Sequence, residues 1–372
     1  MARPPPSSSA VFDHATRPRT AVLLIQLGTP AAPTAAALRP YLAQFLGDPR
    51  VVEIPRLVWW PILHGIILNT RPARSAKKYA SVWTEEGSPL MAHSVRQSKL
   101  LRGALGERGH DVEVALAMRY GEPSIPSVLA QLRERNVTRL LVLPLYPQYS
   151  ASTTATAFDE VGRVLAGWRN VPELRWVRNF HDDDGYIDAL AARVRHAWER
   201  DGRGERLVMS FHGVPRRTLE LGDPYHCECL ATARLLAERL GLTRDQWLVT
   251  FQSRFGKAQW LQPYTEPTVE RLAHEGVKRI DVVCPGFVSD CLETLEEIAM
   301  EVRAAFEAGG GETFRFIPCL NDSPPFIDAL ARLAERHLGG WPTQALEAEA
   351  SVRRDRALVD RRARAVELGA AG

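Results

Sequence analysis

One histidine, His212, stands where a side chain could perform acid–base or metal chemistry. It directly follows the apolar run at residues 207–211, and Gly213 follows it. Such a run predicts a buried strand, and open parallel sheets bind ligands beyond the carboxyl ends of their strands. An imidazole placed there can accept a proton or ligate a metal near neutral pH. A core histidine bonded to a backbone carbonyl is an equally good interpretation of its position alone.

An acidic helix forms the second candidate. Residues 284–302 read CPGFVSDCLETLEEIAMEV, and α-helical spacing places four carboxylates on one ridge: Asp290, Glu293, Glu297 and Glu301. Such a ridge could conduct a hydrated divalent cation or relay protons. A solvated helix face explains Glu297 and Glu301 at least as well. Asp290 and Glu293 are the better candidates, because the first turn lies nearest the edge of the sheet.

Three further segments offer contacts for a ligand. Residues 146–161 combine a strand end with many hydroxyls, which suits a carboxylate or phosphate but also an ordinary helix cap. Arg119 and Arg254 open two similar motifs and could bind a carboxylate or join two domains. Trp59 and Trp60 lie in a short apolar segment, which suits a lip for a flat ligand, a surface touching a membrane, or a buried helix.

The elements that must position these residues follow an α/β pattern. Continuous apolar runs alternate with amphipathic segments of helical length, which predicts βαβ units and parallel sheets. The expected strands lie at residues 21–27, 112–117, 139–144, 207–211, 247–251 and 279–284.

The chain also resembles itself. LLIQLGTP at residues 23–30 aligns with LVMSFHGVP at 207–215, MRYG at 118–121 with SRFG at 253–256, and NVTRLLVLP at 136–144 with GVKRIDVVC at 276–284. The motifs keep the same order in both halves. We therefore expect two similar Rossmann-like domains, 19–170 and 171–338, around a common cleft, with a disordered leader at 1–18 and a tail, helical or disordered, at 339–372.

Composition excludes several classes of protein. The 372 residues carry a net charge of only +3 and five cysteines, which argues against a nucleic-acid-binding protein and a disulfide scaffold. The most apolar segment, residues 57–68, is too short to span a bilayer. The start of the chain lacks the apolar run of a signal peptide, so a cytoplasmic protein is expected. Nothing in the pattern indicates an oligomeric state.

Together these motifs resemble the ferrochelatases, which insert Fe²⁺ into protoporphyrin IX to make protohaem, the last step of haem biosynthesis. The resemblance extends over about residues 21–335. It is carried by these stretches: LIQLGTP, FLGDPRVV, GSPL, MRYGEPS, YPQYSASTT, SFHGVP, GDPY, FQSRFGKAQWLQPYT, VVCPGFVSDCLETLEEI and IPCLNDSP.

The resemblance implies two chelatase domains that hold the porphyrin between them, and roles for particular residues. His212 and Glu293 match the family's two iron-site residues, with Asp290 beside them in the catalytic group. By motif position, a further set is expected to contact the porphyrin: Leu27, Trp59, Trp60, Tyr79, Ser88, Arg119 and Tyr120.

The sequence departs from the family pattern at a few positions. Gln26 and Ala155 replace the more usual Asn and Gly, which affects ligand detail. Some ferrochelatases bind a [2Fe–2S] cluster, but here Ala151 occupies the place of one ligand and no cysteine follows Cys319, so we expect no cluster. Three alternatives stay open: another metal such as Co²⁺, coproporphyrin as substrate, and a non-catalytic tetrapyrrole carrier.

Overall fold

Parallel strands alternate with helices along the described chain. The computed structural model describes residues 14–254, 256 and 258–370. The strands are β1 Arg19–Gly28, β2 Glu113–Tyr120, β3 Val137–Pro144, β4 Glu173–Trp176, β5 Arg206–His212, β6 Trp247–Gln252, β7 Arg279–Val283 and β8 Thr313–Phe316.

Helices fill the connections. The α-helices are α1 Ala35–Gly47, α2 Arg56–Ile62, α3 Leu68–Val82, α4 Pro89–Glu107, α5 Ile125–Glu134, α6 Thr156–Leu165, α7 Asp184–Asp201, α8 Arg216–Glu220, α9 Tyr225–Leu240, α10 Thr265–His274, α11 Arg303–Ala308, α12 Pro324–Leu338 and α13 Ala348–Glu367. Three π-helices, Leu63–Ile67, Ala151–Ala155 and Glu293–Val302, and a 3₁₀ turn, Arg244–Gln246, complete the set. We call Glu293–Val302 the acidic π-helix.

The strands form two four-stranded parallel sheets with the same topology. The strand orders are β2-β1-β3-β4 and β6-β5-β7-β8. β1 lies inside its sheet, and its residues 21–25 are fully buried, as the continuous apolar run predicts. The predicted α/β class with two similar parallel sheets is confirmed. The short strands β4 and β8 carry too few apolar residues to be recognised from the sequence.

A close glycine contact recurs in both halves. A Cβ at Gly28 would lie 1.8 Å from the carbonyl oxygen of Tyr120, and one at Gly213 would lie 2.7 Å from that of Gln252. In each sheet a glycine after the first strand therefore lets the chain pass against the end of its neighbour. Gly213 thus serves backbone packing.

One core is shared by both halves. The largest hydrophobic cluster joins side chains of β1 and β3 to those of β5, with α7, α9 and α12 between the sheets. The helix α12 also packs on α4 of the first half. β4, which begins at Glu173, pairs with β3, so the first sheet continues past residue 170, where the sequence suggested a boundary. Smaller clusters cover the outer face of each sheet.

The ends of the chain contact the fold where they are described. Residues 1–13 of the expected leader lie outside the described residues, whereas Arg17 pairs with Asp111 at 2.6 Å. The tail forms α13, and Arg361 of that helix donates to the carbonyl of His14. No helix in the described part of the chain is long and apolar enough to cross a membrane.

Candidate functional site

His212 ends β5 with one ring nitrogen bonded, and its other nitrogen has no hydrogen-bond partner among the described residues. Its Nδ1 lies 2.6 Å from the carbonyl oxygen of Gly213, and the hydroxyl of Tyr225 donates to its own carbonyl at 2.9 Å. A neutral imidazole that donates through Nδ1 carries its lone pair on Nε2. The ring is half-buried and lies 6.3 Å from that of Phe287. His212 is therefore arranged to accept a proton or a metal ion through Nε2.

Glu297 is the acid that the structure brings to His212. Its carboxylate lies on the acidic π-helix, and Ser253 binds both oxygens, through its N–H at 2.6 Å and its hydroxyl at 2.5 Å. Burial raises the pKa of Glu297, while hydrogen bonds from Ser253 and the charge of His212 oppose that rise, and the neighbouring Glu293 adds to it. The group is poised to hold and release a proton close to the histidine.

Glu293 begins the acidic π-helix and faces two tyrosines of the first half. Burial, together with the charge of Glu293, raises the pKa of Tyr41. Burial, then Tyr41 and Glu293, raises the pKa of Tyr79 in the same way. Both phenols therefore stay protonated and can donate hydrogen bonds. The structure thus brings Glu293 and Tyr79, two of the expected site residues, to the same place.

Asp290 is bonded to other residues of the second half. The residue is buried, and its carboxylate accepts from Thr294, from the N–H of Cys319 and from the amide of Asn321, at 3.1, 3.2 and 2.7 Å. Its own N–H donates to Asn321 at 2.8 Å. These bonds use Asp290 to fasten the start of the helix. The sequence ranked it above Glu297 because the first turn was taken to be the part nearest the ligand.

The π-helix also divides the expected ridge of four carboxylates. A π-helix bonds residue i to i+5, so side chains five positions apart become neighbours. Glu296 and Glu301 accordingly share Lys78 of α3, at 2.9 and 2.8 Å from its Nζ. The α-helical spacing used for the sequence does not describe this helix. Glu301 joins Glu296 and Lys78, while Glu293 and Glu297 remain together.

Arg119 and Tyr120 are tied into the first half. Asp48 accepts from the guanidinium of Arg119 at 2.5 Å, from the hydroxyl of Tyr120 at 2.9 Å and from the hydroxyl of Thr156. Arg119 also donates to the carbonyl of Thr156 at 3.0 Å. Tyr120 and Asp48 are buried. This network, which we call the Asp48 hub, joins three of the motifs noted above within the first half.

The other expected porphyrin contacts differ in exposure. Trp59 is buried and donates to the carbonyl of Leu46 at 2.7 Å, whereas Trp60 is 46% exposed. Leu57, at 93%, is almost fully exposed. Leu27 is half-buried, and Ser88 is buried at the start of α4. The apolar segment is thus partly a core helix, to which Trp59 belongs, and partly an exposed lip, to which Trp60 belongs.

The hydroxyl-rich segment binds carboxylates of the protein itself. Asp223 accepts from the N–H of Ala151 at 2.7 Å and from Ser150 at 3.3 Å. Glu228 accepts from the N–H of Tyr149 at 2.6 Å. These three donors of the segment are therefore engaged within the fold, whereas the buried hydroxyls of Tyr146 and Thr154 have no hydrogen-bond partner among the described residues.

The thiols are mostly buried. Cys227 is exposed, while burial raises the pKa of Cys229, Cys284, Cys291 and Cys319 well above the ordinary value. Within the described part of the chain, no three His, Cys, Asp or Glu side chains converge closely enough to hold a metal ion.

Comparison with known proteins gives one consistent answer. The sequence pattern of the Ferrochelatase family matches residues 19–338. The ferrochelatase of Polaromonas sp. (strain JS666) is 64% identical over 92% of this chain and 93% of its own length, and that of Azoarcus sp. (strain BH72) is 61% identical over 94% and 97%. SirB from Bacillus subtilis, solved with Fe³⁺, shares the fold at 16% identity, with a TM-score of 0.51 over 69% of this chain and 95% of its own.

Proposed function

The chain belongs to the ferrochelatase family, and we propose that its reaction, the insertion of iron into a porphyrin in haem biosynthesis, takes place between His212 and the acidic π-helix. The enzyme is a lyase whose substrates are Fe²⁺ and protoporphyrin. The observation that carries the proposal is the convergence of an imidazole with a free Nε2, at the end of β5, with Glu297 and its neighbour Glu293.

The chemistry needs a proton acceptor and a path for a cation. A free porphyrin carries two N–H protons, and both must leave when the four nitrogens bind one Fe²⁺. His212 Nε2 accepts the two protons from the macrocycle one after the other, and each passes through the carboxylate of Glu297 to solvent before the next is taken. Because the charge of His212 favours ionised Glu297, the two groups exchange a proton without leaving either charge alone in the cleft.

Glu293 receives the metal. Carboxylate oxygens suit Fe²⁺ while it still carries water, and Tyr41 and Tyr79 remain neutral beside Glu293, so neither competes as a phenolate ligand. The cation passes from Glu293 to the porphyrin nitrogens as these lose their protons to His212. An apolar cleft that favours a bent macrocycle over a flat one would lower the remaining barrier.

The test is a metallation assay with matched variants. Protoporphyrin IX loses its fluorescence when Fe²⁺ enters, so the decay under anaerobic conditions measures the rate. Glu293→Gln should slow kcat/KM by about 100-fold, in the range for a group that handles charge in the transition state, and leave porphyrin binding intact. Glu307→Gln, an exposed acid on α11, is the control. Metallation by Glu293→Gln at the wild-type rate would refute the role of Glu293. Faster metallation by the wild type with Co²⁺ or with coproporphyrin III would show that the proposed metal or porphyrin is not the preferred substrate.

We also propose that the enzyme works without an iron–sulfur cluster. Residue 151 is alanine and its N–H is bound by Asp223, while four of the five cysteines are buried with raised pKa values. Purified active enzyme should then contain no acid-labile sulfide.

We place the enzyme in the cytoplasm with its lip against a membrane surface. The support is a group of exposed apolar side chains on α2 and the segment around it: Ile54, Leu57, Val58, Trp60 and Ile66. Such a surface costs free energy in water and suits the interface of a bilayer, where an apolar porphyrin is also found.

A further inference from the structure

Ser253 adopts a backbone conformation that non-glycine residues rarely take. It follows the last residue of β6, Gln252, and its φ is +64°, in the left-handed region. Such conformations persist where the surroundings specify them, and they cluster at functional sites.

This conformation directs two donors of one residue to the same carboxylate. The N–H of Ser253 donates to Oε1 of Glu297 at 2.6 Å and its hydroxyl to Oε2 at 2.5 Å. Gln252 adds an amide that donates to the carbonyl of Glu293 at 2.8 Å. The oxygen of that amide is held in turn by Ser210 at 2.8 Å. The end of β6 is therefore hydrogen-bonded to the acidic π-helix at two places, the backbone carbonyl of Glu293 and the carboxylate of Glu297.

Within the proposed function, we propose that Ser253 is a positioning residue, which fixes the carboxylate of Glu297 near His212 so that the histidine has a proton partner of set orientation. Ser253 reaches neither the macrocycle nor the metal in this role and acts through Glu297.

Charge supports the assignment. Burial would by itself favour the neutral acid, and Glu293 pushes the pKa of Glu297 in the same direction. The two donors of Ser253 and the charge of His212 act the opposite way and stabilise the carboxylate. Without the hydroxyl, Glu297 would keep the N–H bond to Oε1 and the longer bond from the Gln252 amide to Oε2 at 3.4 Å, but it would lose the 2.5 Å bond to Oε2.

The first experiment compares two substitutions of the same serine. Ser253→Ala and Ser253→Gly both remove the hydroxyl, but glycine also removes the side-chain cost of a positive φ. Both should lower kcat by roughly ten-fold, as expected for one hydrogen bond to a charged group, with the KM for porphyrin unchanged. Ser127→Ala, which removes a half-buried hydroxyl on α5 bonded to the carbonyl of Ser124, is the matched control. Wild-type kcat in both variants, or a loss confined to alanine, would overturn the proposal, because the hydroxyl would then not matter.

The second experiment tests whether Ser253 acts through Glu297. In a double-mutant cycle, Ser253→Ala should cost about ten-fold in the wild type and less than about two-fold in a Glu297→Gln background, since a neutral amide cannot serve as the proton partner. Equal losses in both backgrounds would refute the inference. A wild-type enzyme that metallates, together with an inactive His212→Ala variant, shows that the proposed function holds even where this inference fails.

Discussion

The two sheets share strand order and glycine contacts, yet their carboxyl ends have become different. In the first half, the edge after β2 is closed by the Asp48 hub, which engages Arg119, Tyr120 and Thr156. In the second half, the edge leaves His212 with an available Nε2 beside acids. A buried hydrogen-bond network thus occupies this edge in the first half, and in the second half the edge carries the residues for which we propose the chemistry.

The difference is clearest at equivalent positions. Leu27 and His212 both precede the glycine that packs against the neighbouring strand. Arg119 of β2 lies opposite Leu27 and pairs with Asp48. Gln252 of β6 takes the corresponding place opposite His212 and donates to the carbonyl of Glu293 at 2.8 Å. Arg254, two residues beyond Gln252, is exposed and lies over the ring of Tyr264 at 5.2 Å. A duplicated scaffold therefore fixes where a side chain stands, and the residue type at that place decides what it does.

The largest effect on the metallation rate should come from substituting alanine for the residues at the two equivalent strand ends. His212→Ala removes the proton acceptor and should lower kcat/KM by about 1,000-fold, within the range for general bases, while porphyrin still binds. Leu27→Ala should cost less than about ten-fold, because it removes only apolar contact. Fluorescence decay measures the rate, and fluorescence titration measures binding.

The exposed His274 on α10 provides the control for that pair through His274→Ala. A loss at Leu27 as large as that at His212 would break the division between a structural and a chemical half.

The Asp48 hub should dominate the stability of the first half. Asp48→Asn leaves the guanidinium of Arg119, with a side chain only 16% exposed, without its counter-charge. Removing one partner of a buried ion pair typically costs about 3 kcal/mol, so the free energy of unfolding in urea should fall by about that amount.

Asp159→Asn, which removes an exposed partner of Arg50, should change the free energy of unfolding by less than about 1 kcal/mol. If the Asp48 variant unfolded no more easily than this control, the hub would not be the structural element of the first half.

The buried Glu297 of the second half should make the free energy of unfolding depend on pH. Since the folded protein raises the pKa of Glu297 above the ordinary 4.5, the native state holds that proton more tightly than the unfolded chain. Ionisation as the pH rises through the folded value therefore costs native stability. Compared with Glu297→Gln, the wild type should lose free energy of unfolding as the pH rises from 4.5 through the raised pKa of Glu297.

Urea denaturation at a series of pH values measures this difference, with Glu307→Gln as the exposed-acid control. A constant gap between wild type and Glu297→Gln across the range would contradict the burial of an ionisable Glu297.

The smallest effect on stability should come from the lip. Leu57→Ser removes a side chain that is 93% exposed, so the free energy of unfolding should change by less than about 0.5 kcal/mol. The same change should weaken co-sedimentation with phospholipid vesicles. The exposed Val171→Ser, outside the lip, is the control. Unchanged co-sedimentation of the Leu57 variant would refute the proposal that the lip contacts a membrane.

Much of the fold could be predicted from the sequence. The apolar runs of β1 and β5 and the repeated motifs indicate two parallel sheets, because a strand buried on both faces must be apolar throughout. The sequence did not predict β4 and β8, because four-residue edge strands such as Glu173–Trp176 bury too few side chains to produce an apolar pattern.

The site was predicted in part. The position of His212 at a strand end follows from the order of residues alone. The roles of Asp290 and Glu297 stay predictions, and the sequence signal for Glu297 was its spacing of four from Glu293. Its partner Ser253 gave no signal, because a positive φ and two bonds to a residue 44 positions away are not written in local sequence.

Local sequence by itself determined which segments become strands and helices, how often the motif repeats, and that a histidine ends β5. Tertiary structure decided the rest. The acids follow π-helical spacing, Lys78 forms ion pairs with Glu296 and Glu301, and Ser253 donates hydrogen bonds to Glu297. The physical reason is that apolar periodicity depends on neighbours along the chain, whereas the charge state and direction of a buried carboxylate depend on whichever donors packing brings to it.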